Sequence, residues 1–296
     1  MKLHVLLQIL AILILCQCEK QEKEPYPQDP VTIPDAHFLA RLQESGVDNN
    51  GDGYISYEEA EAVHSLRVNW AGISSMRGIE AFINLDTLVC NGNQLTRLHL
   101  SAIKALRYLN CSENQLTSLD VTSHSELECL DVHRNQISKL DLSNNIPLKR
   151  LHCQENLLSR LDLTSLPELE KLECWDNHLN GLDVTKNQKL ELLDISTNQF
   201  IYIDLSQNGL LSELWCVDNE ISSLDLSANL SLFWLNCSGN KLSSLNLIKN
   251  TGLEYLFLEN MPTLYEVCVW EPFPSLHLNT YLEGSPNAYF TTDCSY

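Results

Sequence analysis

Residues 106–126 read L-R-Y-L-N-C-S-E-N-Q-L-T-S-L-D-V-T-S-H-S-E, and Leu127 begins the same pattern again. Nine leucines keep this spacing of 21 with no residue inserted or deleted: Leu85, Leu106, Leu127, Leu148, Leu169, Leu190, Leu211, Leu232 and Leu253. A fixed period over that distance means that each unit is one structural coil stacked on the last. A single coil cannot bury its leucines alone, so stacking is what closes the core. Most of the chain therefore builds one long surface.

Aligned units give a residue-by-residue template. Leu106, Leu109, Cys111, Asn114, Leu116, Leu119 and Val121 recur two coils later as Leu148, Leu151, Cys153, Asn156, Leu158, Leu161 and Leu163. This resembles the leucine-rich-repeat pattern L-x-x-L-x-L-x-x-N/C-x-L at the short end of its length range. The resemblance covers residues 66–262 and implies a solenoid with a parallel sheet along one face. Residues two apart, such as Leu109 and Cys111, point the same way from an extended backbone, so each coil contributes a short strand. An Asn column (Asn93, Asn114, Asn135, Asn156, Asn177, Asn198, Asn219, Asn240) falls where the chain leaves the strand. Its amides are expected to satisfy buried backbone groups and to pair with the next Asn up the stack. A second column, Asp120, Asp141, Asp162, Asp183, Asp204 and Asp225, follows a second extended stretch, and local turn capping accounts for it better than cation binding.

The first 17 residues read as a secretory signal. Lys2 gives a charged start, and Val5 to Leu15 is an apolar run broken only by Gln8, too short to span a bilayer. Leu15-Cys16-Gln17-Cys18 resembles a bacterial lipobox. Cys18 has a Leu at the offset that guides lipid attachment, although Gln17 is larger than the small residue preferred before the acceptor. Cys16 fits less well, because Leu15 directly precedes it. Residues 18–33 read as a tether: Glu19 to Glu24 resembles the acidic export signals of surface lipoproteins in Bacteroidetes-type bacteria, and Pro25, Pro27, Pro30 and Pro34 keep the chain extended. The expected location is the outer membrane, facing the cell exterior, with a periplasm-facing anchor as the alternative. No C-terminal L-P-x-T-G sorting motif is found, in keeping with the expectation of a lipid anchor.

Six cysteines (Cys90, Cys111, Cys153, Cys174, Cys216, Cys237) share one repeat position with Val132, Ile195 and Leu258, so they read as small buried thiols. One thiol per coil does not make the tetrahedral cage that zinc requires. Cys129 falls in the outward strand register. Cys268 and Cys294 lie beyond the repeats, and a disulfide between them would pin the C-terminal tail in an oxidising compartment. The net charge of −20 argues against nucleic acid and against direct binding of an anionic membrane face.

Before the repeats, Asp48 to Glu59 (D-N-N-G-D-G-Y-I-S-Y-E-E) matches the EF-hand loop D-x-[DN]-x-[DN]-G-x₅-E at every defined place. In that reading Asp48, Asn50 and Asp52 supply side-chain oxygens to Ca2+ and Tyr54 its backbone carbonyl. Ser56 acts directly or through water, and Glu59 clamps with both oxygens. Ile55 faces away and anchors the loop. Residues 34–65 then form a helix-loop-helix cap on the solenoid: Pro34-Asp35 opens one helix, and Tyr57 to Ser65 forms the next. An affinity in the extracellular range, roughly 10⁻⁴ to 10⁻³ M, suits such a cap. Residues 263–296 are expected to form a C-terminal cap.

No nucleophile elbow, H-E-x-x-H, Walker or G-x-G-x-x-G motif is present, so the expectation is a protein without catalysis. His133 and His152 fall on adjacent coils but read as surface residues. Outward strand positions carry Tyr108, Asp131, Arg150, His152, Lys171 and Glu173 in early coils and turn aromatic later: Trp175, Trp215, Trp234, Tyr255 and Phe257. Trp215, Trp234, Tyr255 and Phe257 fall close enough to form one patch, which reads either as a recognition site for proteins or sugars or as aromatic stacking that stabilises the sheet. The loop, the Asn-and-Cys repeat and the cysteine-bearing tail together resemble secreted leucine-rich-repeat lipoproteins of Bacteroidetes-type bacteria and, distantly, internalin-like adhesins. The resemblance implies binding, adhesion or host interaction without catalysis and names no ligand; the expectation is protein recognition or adhesion at the cell surface, with glycan capture or an envelope scaffold as alternatives.

Overall fold

The computed structural model describes residues 30–271 and 279–294. The signal, most of the tether, and both candidate lipid acceptors, Cys16 and Cys18, lie outside the described residues. The molecule is a leucine-rich-repeat solenoid. Two helices, α1 (Ala36–Glu44) and α2 (Tyr57–Glu61), precede strands β1 (Ser65–Arg67), β2 (Thr87–Val89), β3 (Tyr108–Asn110), β4 (Cys129–Asp131) and β5 (Arg150–His152). The ladder goes on through β6 (Lys171–Glu173), β7 (Leu192–Asp194), β8 (Glu213–Trp215), β9 (Trp234–Asn236), β11 (Tyr255–Phe257) and β13 (Asn279–Tyr281). These eleven form one sheet in coil order, and every pairing is parallel. Three further strands, β10 (Ser244–Asn246), β12 (Glu266–Cys268) and β14 (Tyr289–Thr291), form a second parallel sheet across the coil. The second extended stretch thus becomes a hydrogen-bonded ladder only in the last coils.

Each strand of the long sheet is three residues, with the middle one facing the core. Leu109, Leu130, Leu151, Leu172, Leu193, Leu214 and Leu235 are all fully buried, as are the six cysteines of the repeat column. Burial pushes the Cys90 and Cys237 thiols up to about 12, so at neutral pH they act as inert core atoms. Cys129 keeps the outward register, in line with Tyr108 and Arg150, yet it is buried there; burial raises its thiol and outweighs the neighbouring Arg150 guanidinium, which lowers it.

The Asn column does what its position predicts, by a different route. Asn114 Nδ2 donates to the carbonyls of Cys90, Cys111 and Ser112, and its Oδ1 accepts Leu95 N–H at 3.0 Å. Asn135, Asn156, Asn177, Asn219 and Asn240 repeat the set. The amides therefore bridge to the backbone of the preceding coil and do not pair with one another. A second buried column, Asn145, Asn187, Asn208, Asn229 and Asn250, ties the opposite turn: Asn208 Nδ2 donates to Val184 O and Asn187 O at 3.0 and 2.9 Å. Its pattern is obscured in the sequence because His124 and Leu166 occupy the same place. The Asp column serves local turns. Asp162 Oδ1, for example, accepts Thr164 N–H and Oγ1–H at 2.9 and 2.6 Å, and these bonds hold its carboxyl below the usual range.

At the N-terminal end, Asp35 caps α1 through His37 and Phe38 N–H, both at 3.0 Å. Its other oxygen accepts from Ser74 N–H, Ser74 Oγ–H and Ser75 N–H, which clamps the helix to the first coil. Burial alone would raise this carboxyl; the hydrogen bonds outweigh it and hold it low. Phe38, Leu42, Ile55 and Val68 fuse the helical cap to the repeat core. Helix α2 ends at Glu61, short of the expected Ser65, because His64 O must already accept Asp86 N–H to start the sheet. At the other end the coils run on past residue 262 through β12, β13 and β14, and Cys268 and Cys294 form a disulfide.

Candidate functional site: the open face of the long sheet

The first and third residues of each strand project away from the core, so the sheet displays two side-chain columns per coil. In the last coils these columns become aromatic. Trp215 and Trp234 stack with ring centroids 5.2 Å apart and planes 8° apart. Trp234 stacks on Tyr255 at 4.4 Å and meets Phe257 at 5.2 Å. Phe257 then stacks on Tyr281 at 4.4 Å with planes 1° apart. Five rings from four coils form one cluster; four of them are half-buried and Tyr281 is exposed.

Two residues differ from the sequence reading. Trp175 is not in an outward strand column: it lies one residue past buried Cys174, beyond the end of β6, in the turn column shared by Gln154 and Ser196. Tyr281 belongs to the cluster although the repeat template omits it. It pairs in register with Phe257 at a separation of 24 residues, three more than the period, so a 21-residue template does not reach it.

The early coils show a polar ladder in place of rings. Asp131 Oδ1 lies 2.6 Å from His133 Nδ1, and this bond holds the imidazole above its ordinary value. Asn110 Nδ2 donates to Asp131 Oδ2 at 2.9 Å. On the next coils His152 Nδ1 sits 3.3 Å from Glu173 Oε1, which lowers the Glu173 carboxyl. His133 and His152 are thus each paired with a carboxylate and are not turned toward a common centre.

In the loop before the repeats, Asp48 accepts Gly51 N–H at 2.7 Å and Gly53 N–H at 3.0 Å, folding the chain back over its own start. Asn50 and Asp52 make the same kind of turn, accepting from Asp52 N–H and Tyr54 N–H. Gly53 has φ +89°, a conformation that costs an L side chain about 1 kcal/mol or more. Glu59 joins the ends of the loop: Oε1 accepts Asn49 N–H, while Oε2 accepts Ser56 N–H and Oγ–H, all at 2.9 Å. Ser56 and Glu59 also form a capping box on α2. Burial raises the Glu59 carboxyl, and these bonds more than offset it. Three carboxylates, an amide oxygen and a hydroxyl suit a hard cation chemically. Their oxygens face backbone N–H groups, however, and among the described residues no three His, Cys, Asp or Glu side chains converge as a metal site.

No protein-family model matches the chain, and no curated protein matches it. Solved structures do. The functional domain of InlJ from Listeria monocytogenes, described as including a cysteine ladder, is 33% identical with a TM-score of 0.73, covering 79% of this chain and 56% of its own. The chain therefore spans little more than half the length of that relative. An internalin, inlF, from the same organism is 21% identical with a TM-score of 0.67, covering 88% of this chain and 91% of its own. A leucine-rich-repeat protein of Leptospira interrogans is 19% identical with a TM-score of 0.58, covering 80% and 74%. The last two carry the fold alone; the first is described with a ladder of cysteines, and this chain has its own column of buried cysteines. The chain is a leucine-rich-repeat solenoid, distantly internalin-like, of an architecture that supports a recognition surface.

Proposed function

We propose that this is a non-catalytic binding protein of the cell envelope, which uses the open face of its long sheet to recognise another protein. The observation that carries the reading is the continuous cluster of Trp215, Trp234, Tyr255, Phe257 and Tyr281, on a face that no other element covers among the described residues. Large amphipathic rings on a rigid sheet are the usual anchors of protein interfaces. The ring geometry favours protein over glycan. Sugars pack on free aromatic faces, and here the faces are largely taken by neighbouring rings, leaving edges outward.

The anchor belongs to the same proposal: a lipid on Cys18 holds the chain to the outer membrane. A calcium ion in the loop of Asp48, Asn50, Asp52, Tyr54, Ser56 and Glu59 stiffens the cap at the N-terminal end of the solenoid. Tyr54 and Ser56 complete what the carboxylates begin, and Glu59 would exchange its backbone bonds for the ion.

Cross-linking on intact cells, followed by partner identification, tests the whole. The expected result is a protein cross-linked to the wild-type chain and lost in Trp215→Ala and Trp234→Ala variants that keep the wild-type circular dichroism and cooperative unfolding. Labelling with a clickable fatty acid should fail in Cys18→Ala and persist in Cys16→Ala. Capture that survives both tryptophan replacements would move recognition off this face.

A further inference from the structure

The ring cluster sits among carboxylates with almost no cation to answer them. Between Glu191 and Glu271 the sequence holds eleven Asp and Glu residues against Lys241 and Lys249, a balance of −9. Lys241 is paired with Glu220. On the open face, Asp194 pairs in register with Trp215, and Glu213 with Trp234. Asp218, Glu259 and Glu283 border the same strands in the turns that leave them. None of these five carboxylates has an ion-pair partner among the described residues. The early coils are built differently. There Arg107 and Lys149 both meet Glu128, and Arg134 meets Glu155, so acids and bases interleave.

Like charges gathered around a half-buried apolar patch repel one another, and a partner that brings the opposite sign relieves that repulsion while it covers the rings. We propose that the rings and their carboxylate rim are the docking site for a cationic polypeptide segment bearing arginine or lysine; this rests on the protein-recognition reading above. The cluster spans four coils, about 15 Å at the ordinary strand spacing, which is the reach of four or five extended residues. A segment of that length offers several cations, whereas a small cation would meet one carboxylate at a time. Trp234 is covered by Trp215 on one side and Tyr255 on the other. Trp215 is the first ring of the stack, and its neighbour in register toward the N-terminus is Asp194. A guanidinium laid on that outer ring face gains a cation–π contact and a carboxylate together. Aliphatic stems of further basic side chains lie along the ring edges, with Glu213 and Glu259 at their charged ends.

The test titrates the full-length protein with octa-arginine, octa-lysine, octa-glutamate and an uncharged Gly-Ser octapeptide, read by calorimetry and tryptophan fluorescence. The cationic peptides should bind at least tenfold more tightly than the uncharged one, with affinity falling as salt rises. Trp215→Leu, Asp194→Asn and Glu213→Gln should each weaken binding about tenfold (roughly 1.4 kcal/mol) with melting unchanged. Asp204→Asn, in the carboxylate column of the far turn, should leave it unaltered. Equal binding of cationic and uncharged peptides would overturn the inference. So would a loss in Asp204→Asn matching that in Glu213→Gln, or self-association through Trp215, which would give the face to a second copy. A neutral peptide or protein held through Trp215 would remove the cationic partner and leave protein recognition standing.

Discussion

At the residue scale, the side chains that hold the coils together are polar. Asn156 donates to the carbonyls of Val132, Cys153 and Gln154 and accepts Ile137 N–H at 2.9 Å, all out of contact with water. Replacing it with Ala orphans one buried N–H and weakens three carbonyls, a loss on the order of 3 kcal/mol. Asn156→Asp should be no better, although it keeps the acceptor, because its second oxygen then faces carbonyl oxygens. Urea titration of both variants checks this, and an Asp variant as stable as wild type would contradict the bonding described. The residue before each of these asparagines is left-handed. Glu113, Arg134, Glu155, Asp176, Thr197 and Asp218 all have φ near +50°. Thr197, branched at Cβ, is the most strained of these. Thr197→Asn should therefore stabilise by about 1 kcal/mol, with a rise in melting temperature as the readout. The sequence displays the Asn column plainly but the left-handed turn before it only faintly, through Gly92 and Gly239, because the coils between them place Glu, Arg, Asp or Thr there.

At the scale of elements, the repeat strands were legible and the ends were less so. Leu, Cys and Asn columns follow from period and burial alone, so the long sheet could be read from the repeat itself. The length of α2 could not, since it is set by where His64 must join the sheet. The ring cluster was legible as far as the period held: Trp215, Trp234, Tyr255 and Phe257 stand in outward registers, while Tyr281 follows a three-residue lengthening that hides it. Trp175 shows the opposite failure, an aromatic residue assigned to the sheet face that belongs to a turn. The helical cap carries its own prediction. If the loop of Asp48 to Glu59 takes calcium, millimolar calcium should raise the melting temperature, since an ion bound only by the folded chain stabilises it by mass action. Glu59→Gln keeps the side-chain shape but removes a charge from the ion, and its one amide oxygen can accept from Ser56 or from Asn49 but not from both, its NH2 facing the N–H that is left. That variant should melt below the calcium-free wild type and respond little to calcium. Equal response in both proteins, or none in either, would leave the loop as a hydrogen-bonded turn without a metal.

At the scale of the molecule, the fixed period makes one coil exchangeable for the next. Deleting residues 148–168 removes a whole coil of 21 residues and joins Pro147 to Leu169. The following coil can then supply an equivalent partner at each repeat position. Lys171 takes the place of Arg150 beside Cys129, and Leu172 that of Leu151 beside Leu130. Asn177 Oδ1, which accepts Leu158 N–H, would accept Ile137 N–H; its Nδ2, which donates to Cys153 O, would donate to Val132 O. The variant should fold with its circular dichroism preserved. Its unfolding should stay cooperative, and its urea m-value should fall in proportion to the surface removed. Removing residues 148–167 instead takes out one residue fewer, yet it should be far more damaging. With a side-chain period of two in each strand, a slip of one residue turns the buried leucines of one segment outward and its polar neighbours inward. The smaller deletion leaves more of the protein and should still give the less stable chain. That inversion distinguishes a stack held in strict register from a string of loosely coupled units, in which stability would simply follow the number of residues retained.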